Sequence, residues 1–236
     1  MQRRLFIALG AAAAAPAPVV VLISATAEWR VIRSLFPAAR VEKSPYGEHF
    51  AAPDGVRYFH GGDGKVAAAG STQYAIDHFH PRLLVNLGTC GGVEGRIERL
   101  QIVAVERTVI YDIYEAMGDA QAEIDHYSTS LDLPARLPTP AVRATMYSGD
   151  RDLTSAGLAE LEPRYHPTVA DWESGAIAWV ARRSGTPLLI LRGVTDLVGP
   201  RLSEAQGNLA LFERNTEPVM RALVEVLPAW IRAYGR

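Results

Sequence analysis

Short runs of consecutive apolar residues alternate along this chain with stretches whose apolar positions recur every three or four residues. Val19-Val-Val-Leu-Ile-Ser24 is an apolar, β-branched run of the kind that forms a buried parallel strand. Val31, Ile32, Leu35 and Phe36 follow at helical spacing, which puts Glu28 in the first turn of a helix just past that strand. Arg57–His60 and Lys65–Ala69 read as two strands around a Gly61-Gly-Asp-Gly64 turn. A helix over Thr72–His80 then leads through Pro81 to a strand at Leu83–Leu87, and Gln101–Val109 reads as a further strand. Ala144–Ser148 and Pro187–Gly193 are strands, Glu173–Arg182 is a helix, and Glu204–Tyr234 is mostly helical. Strands alternating with helices predict one α/β domain over residues 19–236. Residues 115–140 are polar and then proline-rich, with Pro134, Pro138 and Pro140, and read as an excursion or lid. No internal repeat is present.

Composition narrows the class. The chain has 236 residues, 48% apolar and 21% charged, a soluble globular balance with length enough for a substantial core. A net charge of −2 supplies no basic field for nucleic acid. One cysteine excludes an internal disulfide and argues against a thiolate metal site. Met1-Gln-Arg-Arg and the apolar, alanine-rich stretch to Ala15 resemble a secretion signal. Against that, Pro16 and Pro18 directly follow the small-residue cleavage positions, and the first strand begins at Val19. Residues 1–18 are therefore expected to be a signal-like or loosely ordered arm. Cytoplasmic residence is the expectation and export the alternative. No later segment reaches the roughly 18 apolar residues of a membrane span.

The single cysteine lies in Leu84-Val-Asn-Leu-Gly-Thr-Cys-Gly-Gly92, a G-x-C-x-G pattern at the end of an apolar strand. A cysteine nucleophile needs a histidine base and a carboxylate behind it. None of the six histidines stands in such a context, so Cys90 reads as a small packed thiol. The glycines instead allow backbone N–H groups and the Thr89 hydroxyl to approach a ligand at the carboxyl edge of the sheet. Three acids share that edge: Glu28 after the first strand, Glu173 before Ala176-Ile-Ala-Trp-Val180, and Asp196 after Pro187–Gly193. Glu28 alone is as well explained as a first-turn acid favoured by the helix dipole, Asp196 less so behind so apolar a strand. A dinucleotide site is disfavoured, because no G-x-G-x-x-G follows the first strand.

Five segments, in order, resemble motifs of the nucleoside phosphorylase/nucleosidase superfamily: Gly62-Asp-Gly-Lys-Val-Ala-Ala68, the Asn86-Leu-Gly-Thr-Cys-Gly-Gly92 loop, Ser148-Gly-Asp150, Asp171-Trp-Glu-Ser-Gly-Ala-Ile-Ala178 and Leu191-Arg-Gly-Val-Thr-Asp196. The branch they resemble most is the methylthioadenosine/S-adenosylhomocysteine nucleosidases. The resemblance implies a three-layer α/β/α domain around a central mixed, mostly parallel sheet. It implies hydrolysis of a purine nucleoside without metal or organic cofactor, no nucleic-acid or membrane partner, and a homo-oligomer, with a dimer expected. It also implies roles. Asp196 protonates or hydrogen-bonds adenine N7, Glu28 activates water, and Glu173 grips the ribose hydroxyls. Trp172 lines the sugar or base where the family usually has methionine, Thr89 contacts ribose or water, and Gly88 belongs to the ligand-facing loop. Leu153 stands where the family reads the base edge with its backbone, and Arg192 is an ion-pair partner.

That chemistry matches what the bond requires: a proton on a poor leaving group, negative charge near an oxocarbenium-like sugar, and a held water. Phosphorolysis remains the nearest alternative, with a non-catalytic nucleoside receptor behind it. Hexameric purine phosphorylases carry an arginine where this chain has Asn86, which favours hydrolysis, while Arg30 and Arg33 remain as cationic candidates. Two departures stand out: Asp152 replaces the phenylalanine that nucleosidases place against adenine, and Tyr111-Asp112 replaces a His-Asp pair.

Overall fold

The computed structural model describes residues 17–234, so the N-terminal arm expected over residues 1–18 lies almost wholly outside it. In chain order, β1 (Val19–Ile23), α1 (Thr26–Leu35), β2 (Glu42–Lys43), β3 (Glu48–Ala51), β4 (Arg57–His60) and α2 (Gly64–Phe79) are followed by β5 (Leu83–Val93) and β6 (Ile102–Ile110). Then come α3 (Ala120–Tyr127), β7 (Thr129–Ser130), β8 (Val142–Ser148), α4 (Ser155–Tyr165), β9 (Val169–Asp171), α5 (Ser174–Arg183), β10 (Leu188–Val198) and α6 (Leu209–Tyr234). Among the described residues no helix is long and apolar enough to cross a membrane.

The strands run β2-β3-β4-β1-β5 across the sheet, after which β5 pairs with both β10 and β9. Since β10 also pairs with β6, β6 with β8 and β8 with β9, these five strands close into a ring. Five pairings are parallel and five antiparallel, the parallel ones carrying the longer ladders. The expected mixed sheet is present; in place of a mostly parallel arrangement it has equal numbers of parallel and antiparallel pairings, and it partly closes on itself. Closure follows from the length of β5. The strand continues through Gly91 and Gly92, which pair with Ala170 and Val169 of β9, where a strand ending at Leu87 was expected.

Alternation along β1 divides the core. Val19, Val21 and Ile23 pack with Trp29 and Ile32 of α1 and with Met220, Leu223 and Trp230 of α6. Val20 and Leu22 face the other way, onto Ala68 and Ala75 of α2 and Ala176–Ala178 of α5. A strand buried on both faces is why this run is continuously apolar.

Two expectations are corrected. Lys65–Ala69 is the first part of α2, not a strand. Its alanines cost least in a helix, and their small side chains let α2 lie close against the sheet. Positive φ at Gly62 and Gly64 (84° and 82°) turns the chain from β4 into α2. The stretch 115–140 does not cover the cleft described below, since none of its residues lines it. It contains α3, begun by Asp119, whose carboxylate accepts from the backbone N–H groups of Gln121 and Ala122. Leu133 and Leu137 then pack on the α6 side of the core, where Trp230 Nε1 donates to Thr139 Oγ1 at 2.8 Å.

Candidate active site

The site grows from a salt-bridged centre beneath a cleft. Arg192 on β10 is 1% exposed, and its guanidinium is saturated with partners. Nη2 lies 2.8 Å from both Asp171 Oδ2 and Asn86 Oδ1, Nε donates to Ser174 Oγ at 3.1 Å, and Nη1 donates to the Thr89 carbonyl at 3.2 Å. Glu28 and Glu173 carboxylates stand 3.9 and 3.8 Å from it. One buried cation thus faces three carboxylates.

Glu28 is held from two sides. Its Oε2 accepts from the Ala25 N–H at 3.1 Å, closing the start of α1 as a first-turn acid does. Its Oε1 accepts from the Thr89 N–H at 2.5 Å and the Thr89 hydroxyl at 2.8 Å. The capping role and the placement in the site are therefore both real. Gly88 permits this. A Cβ there would sit 2.7 Å from Glu28 Oε1 and collide with Arg192 Nη1. The expectation that Gly88 faces the ligand is corrected: it lies beneath the two charged groups and does not line the cleft.

Glu173 occupies the N-cap position of α5 without capping it. Its Oε1 instead accepts from the Gly64 N–H at 3.0 Å, tying β9–α5 to the start of α2. Burial pushes its carboxyl up to about 8; Arg192 and the Gly64 N–H oppose that, while Asp171 and Glu28 add to it. Because the folded state then binds the Glu173 proton more tightly than the unfolded chain, stability falls as pH rises from the ordinary carboxylate range through about 8. Glu173→Gln is neutral throughout. Denaturant titrations are expected to show it level with the native protein at pH 5 and more stable by about 3 kcal/mol at pH 9. A difference that does not change with pH contradicts this.

Asp196 lies within β10, which continues to Val198 beyond the expected end at Gly193. A register shift between Val194 and Asp196 re-aims the carboxylate. Thr195 Oγ1 donates to its Oδ1 at 2.7 Å. Burial raises the Asp196 carboxyl above its usual range against the pull of that hydroxyl, and the charges of Glu204 and Asp152 add to the rise.

Both catalytic candidates adjoin β5: Thr89 holds Glu28, and Gly91 is the ladder partner of Asp196 on β10. Above them opens a cleft of about 720 Å³, lined by Glu28, Thr89, Leu153, Trp172, Glu173 and Asp196 among others. Six expected site residues therefore meet. Trp172 is 37% exposed, so it is a wall of the cleft and not a core aromatic. Cys90 packs in the α2–α5 core with its thiol pushed well up by burial, which keeps it protonated and unreactive.

Sequence reasoning missed several members. Asp171, the nearest carboxylate to Arg192, lies inside a quoted motif but was overshadowed by Glu173. Asp63 and Arg151 line the cleft, as do Ser203, Gln206 and Phe212 from the segment that leads from β10 into α6. That segment, and not residues 115–140, forms the rim. No periodicity or motif marked it.

A cleft with six carboxylates and one arginine in its walls defines a site for a small neutral or cationic molecule. Residues 51–229 match the family model described as the phosphorylase superfamily, and the chain belongs to that superfamily. It is 28% identical over 153 residues to the 5'-methylthioadenosine/S-adenosylhomocysteine nucleosidase of Halalkalibacterium halodurans, covering 58% of this chain and 66% of the relative. The corresponding enzyme of Actinobacillus succinogenes is 28% identical over 149 residues, covering 57% and 65%. The matched region thus spans just under two thirds of these relatives. The structure of the nucleosidase from Neisseria meningitidis in complex with methylthio-immucillin-A superposes with a TM-score of 0.72 at 18% identity, covering 92% of this chain and 99% of that one. The Colwellia psychrerythraea nucleosidase, in complex with adenine, gives 0.73 at 19%, covering 92% and 95%. At these identities the likeness is one of fold.

Proposed function

We propose that this chain hydrolyses the N-glycosidic bond of a purine nucleoside of the methylthioadenosine/S-adenosylhomocysteine type. The observation that carries this reading is that Glu28, Glu173 and Asp196 line one cleft, with the buried Arg192 within 3.9 Å of Glu28 and 3.8 Å of Glu173. An acid and a base in one cleft, with a water held between them, is the arrangement of inverting glycoside hydrolysis. Asp196, whose raised pKa favours the protonated form, donates to N7 as the base departs. Glu28 takes the proton of a water held with the Thr89 hydroxyl. Glu173 receives the ribose hydroxyls, Trp172 packs on the sugar, and Leu153 brings backbone to the base edge. The curated relatives bear names of the same activity.

Asn86 supports hydrolysis over phosphorolysis. It is fully buried with its Oδ1 shared by Arg192 and Ser174, so an arginine there would crowd a second cation against the first. Val66, Tyr114 and Met117 are exposed, and the Lys65–Asp112 ion pair brings their segments together. These exposed apolar side chains support a homo-oligomeric form, most simply a dimer.

Incubating the purified chain with adenosine, inosine, methylthioadenosine and S-adenosylhomocysteine tests the reading. Free base is expected in phosphate-free buffer. Release only on adding phosphate, with ribose-1-phosphate formed, establishes a phosphorylase instead; nucleoside bound yet recovered intact establishes a receptor.

A further inference from the structure

The excursion over residues 115–140 builds a second concavity that the cleft chemistry does not use. Arg107 of β6 and Arg182 and Arg183 from the last turn of α5 converge on a groove of about 590 Å³. His126, Ser128 and Ser130 share it, with Trp179. It has no lining residue in common with the cleft. Helix α5 begins beside Glu173 and ends at the groove, so the two are about 13 Å apart along its axis.

Among the described residues, none of these three arginines has a carboxylate within ion-pair distance. The one acid in the groove, Asp125, accepts from Gln121 Nε2 at 2.6 Å. Basic residues in the last turn of a helix are commonly explained by the helix dipole. That accounts for Arg182 and Arg183 but not for Arg107, which comes from a strand. Thr129 also lines the groove; its Oγ1 is buried without a hydrogen-bond partner, as is that of Thr108, the residue it pairs with on β6. Arg183 lies over the Trp179 ring at 5.1 Å, which fixes its guanidinium in place.

Unpaired guanidinium groups joined by hydroxyls are the chemistry that recognises a phosphoryl dianion. The groove is bounded, and the chain's net charge of −2 gives no wider basic field, so the occupant is a small soluble phosphoester and not a nucleic-acid backbone. We propose that this groove is a binding site for a small phosphorylated ligand, separate from the nucleoside cleft.

Calorimetric titration of the full chain with inorganic pyrophosphate at low ionic strength tests it. One submillimolar site is expected, weakened about tenfold or more in Arg107→Ser/Arg183→Ser and unchanged in the cleft variant Glu173→Gln. The arginine variant's base release without pyrophosphate should match the native protein. If Arg107→Ser loses its cooperative melt, Arg182→Ser/Arg183→Ser at the exposed end of α5 replaces it, with the same loss expected. Absence of binding overturns the proposal. So does binding that Glu173→Gln abolishes while the arginine variants keep it, since the cleft is then the seat. Flotation with phosphatidic acid vesicles without any pyrophosphate binding also overturns it, in favour of a lipid headgroup.

Discussion

Asp196→Asn is expected to lower kcat for base release by about a thousandfold while nucleoside affinity stays within about tenfold. Asparagine keeps the shape and can still accept from the Thr195 hydroxyl, so the bulged end of β10 is preserved. It has no proton to give to the departing base. The same logic fixes the pH profile. On the proposed mechanism the proton-bearing form of Asp196 is the active acid, and burial raises its pKa, so activity is expected to extend upward in pH beyond an ordinary aspartate and to fall as pH rises through the raised value. Steady-state kinetics across pH, with equilibrium binding of methylthioadenosine, reads both effects. A kcat within tenfold of the native protein removes Asp196 from the acid role.

Arg192→Met should cost about 3–5 kcal/mol of stability, the largest single loss expected in this fold. Methionine fills much of the volume but leaves Asp171, Glu28 and Glu173 buried without their shared cation. It also strands Asn86 Oδ1 and the Thr89 carbonyl, which accept from the guanidinium. Protonation of Glu173, whose carboxyl burial pushes up to about 8, relieves part of the loss. The deficit is therefore expected to shrink as pH falls towards 5, where the native protein too loses the attraction between Arg192 and an ionised Glu173. Chemical denaturation at pH 5 and pH 8 checks both magnitude and sign. A variant as stable as the native protein at pH 8 shows that the three acids do not need the arginine.

The two faces of β1 and the helical spacing of α1 were plain in the sequence because a strand buried on both sides must be continuously apolar. The acids were legible because Glu28 and Asp196 follow apolar strands and Glu173 opens an apolar helical turn. Lys65–Ala69 was misread because an alanine run is apolar without a period, and only the positive φ at Gly62 and Gly64 resolves the turn into α2. Ring closure of the sheet was hidden, since β9 is three residues long and pairs through glycines. Asp171 was hidden as well: its importance lies in a partner on another strand, a relation that no local pattern records.

One feature of β5 has a wider reach. The strand is hydrogen-bonded along both edges, first by β1 and β10 and then by β9 and β10. Its Thr89 holds Glu28, and its Gly91 pairs with Asp196 of β10. On the proposed mechanism a rigid backbone ladder therefore seats both the water activator and the proton donor, whereas the loop between β10 and α6, which supplies Ser203 and Gln206 to the cleft, is free of that ladder.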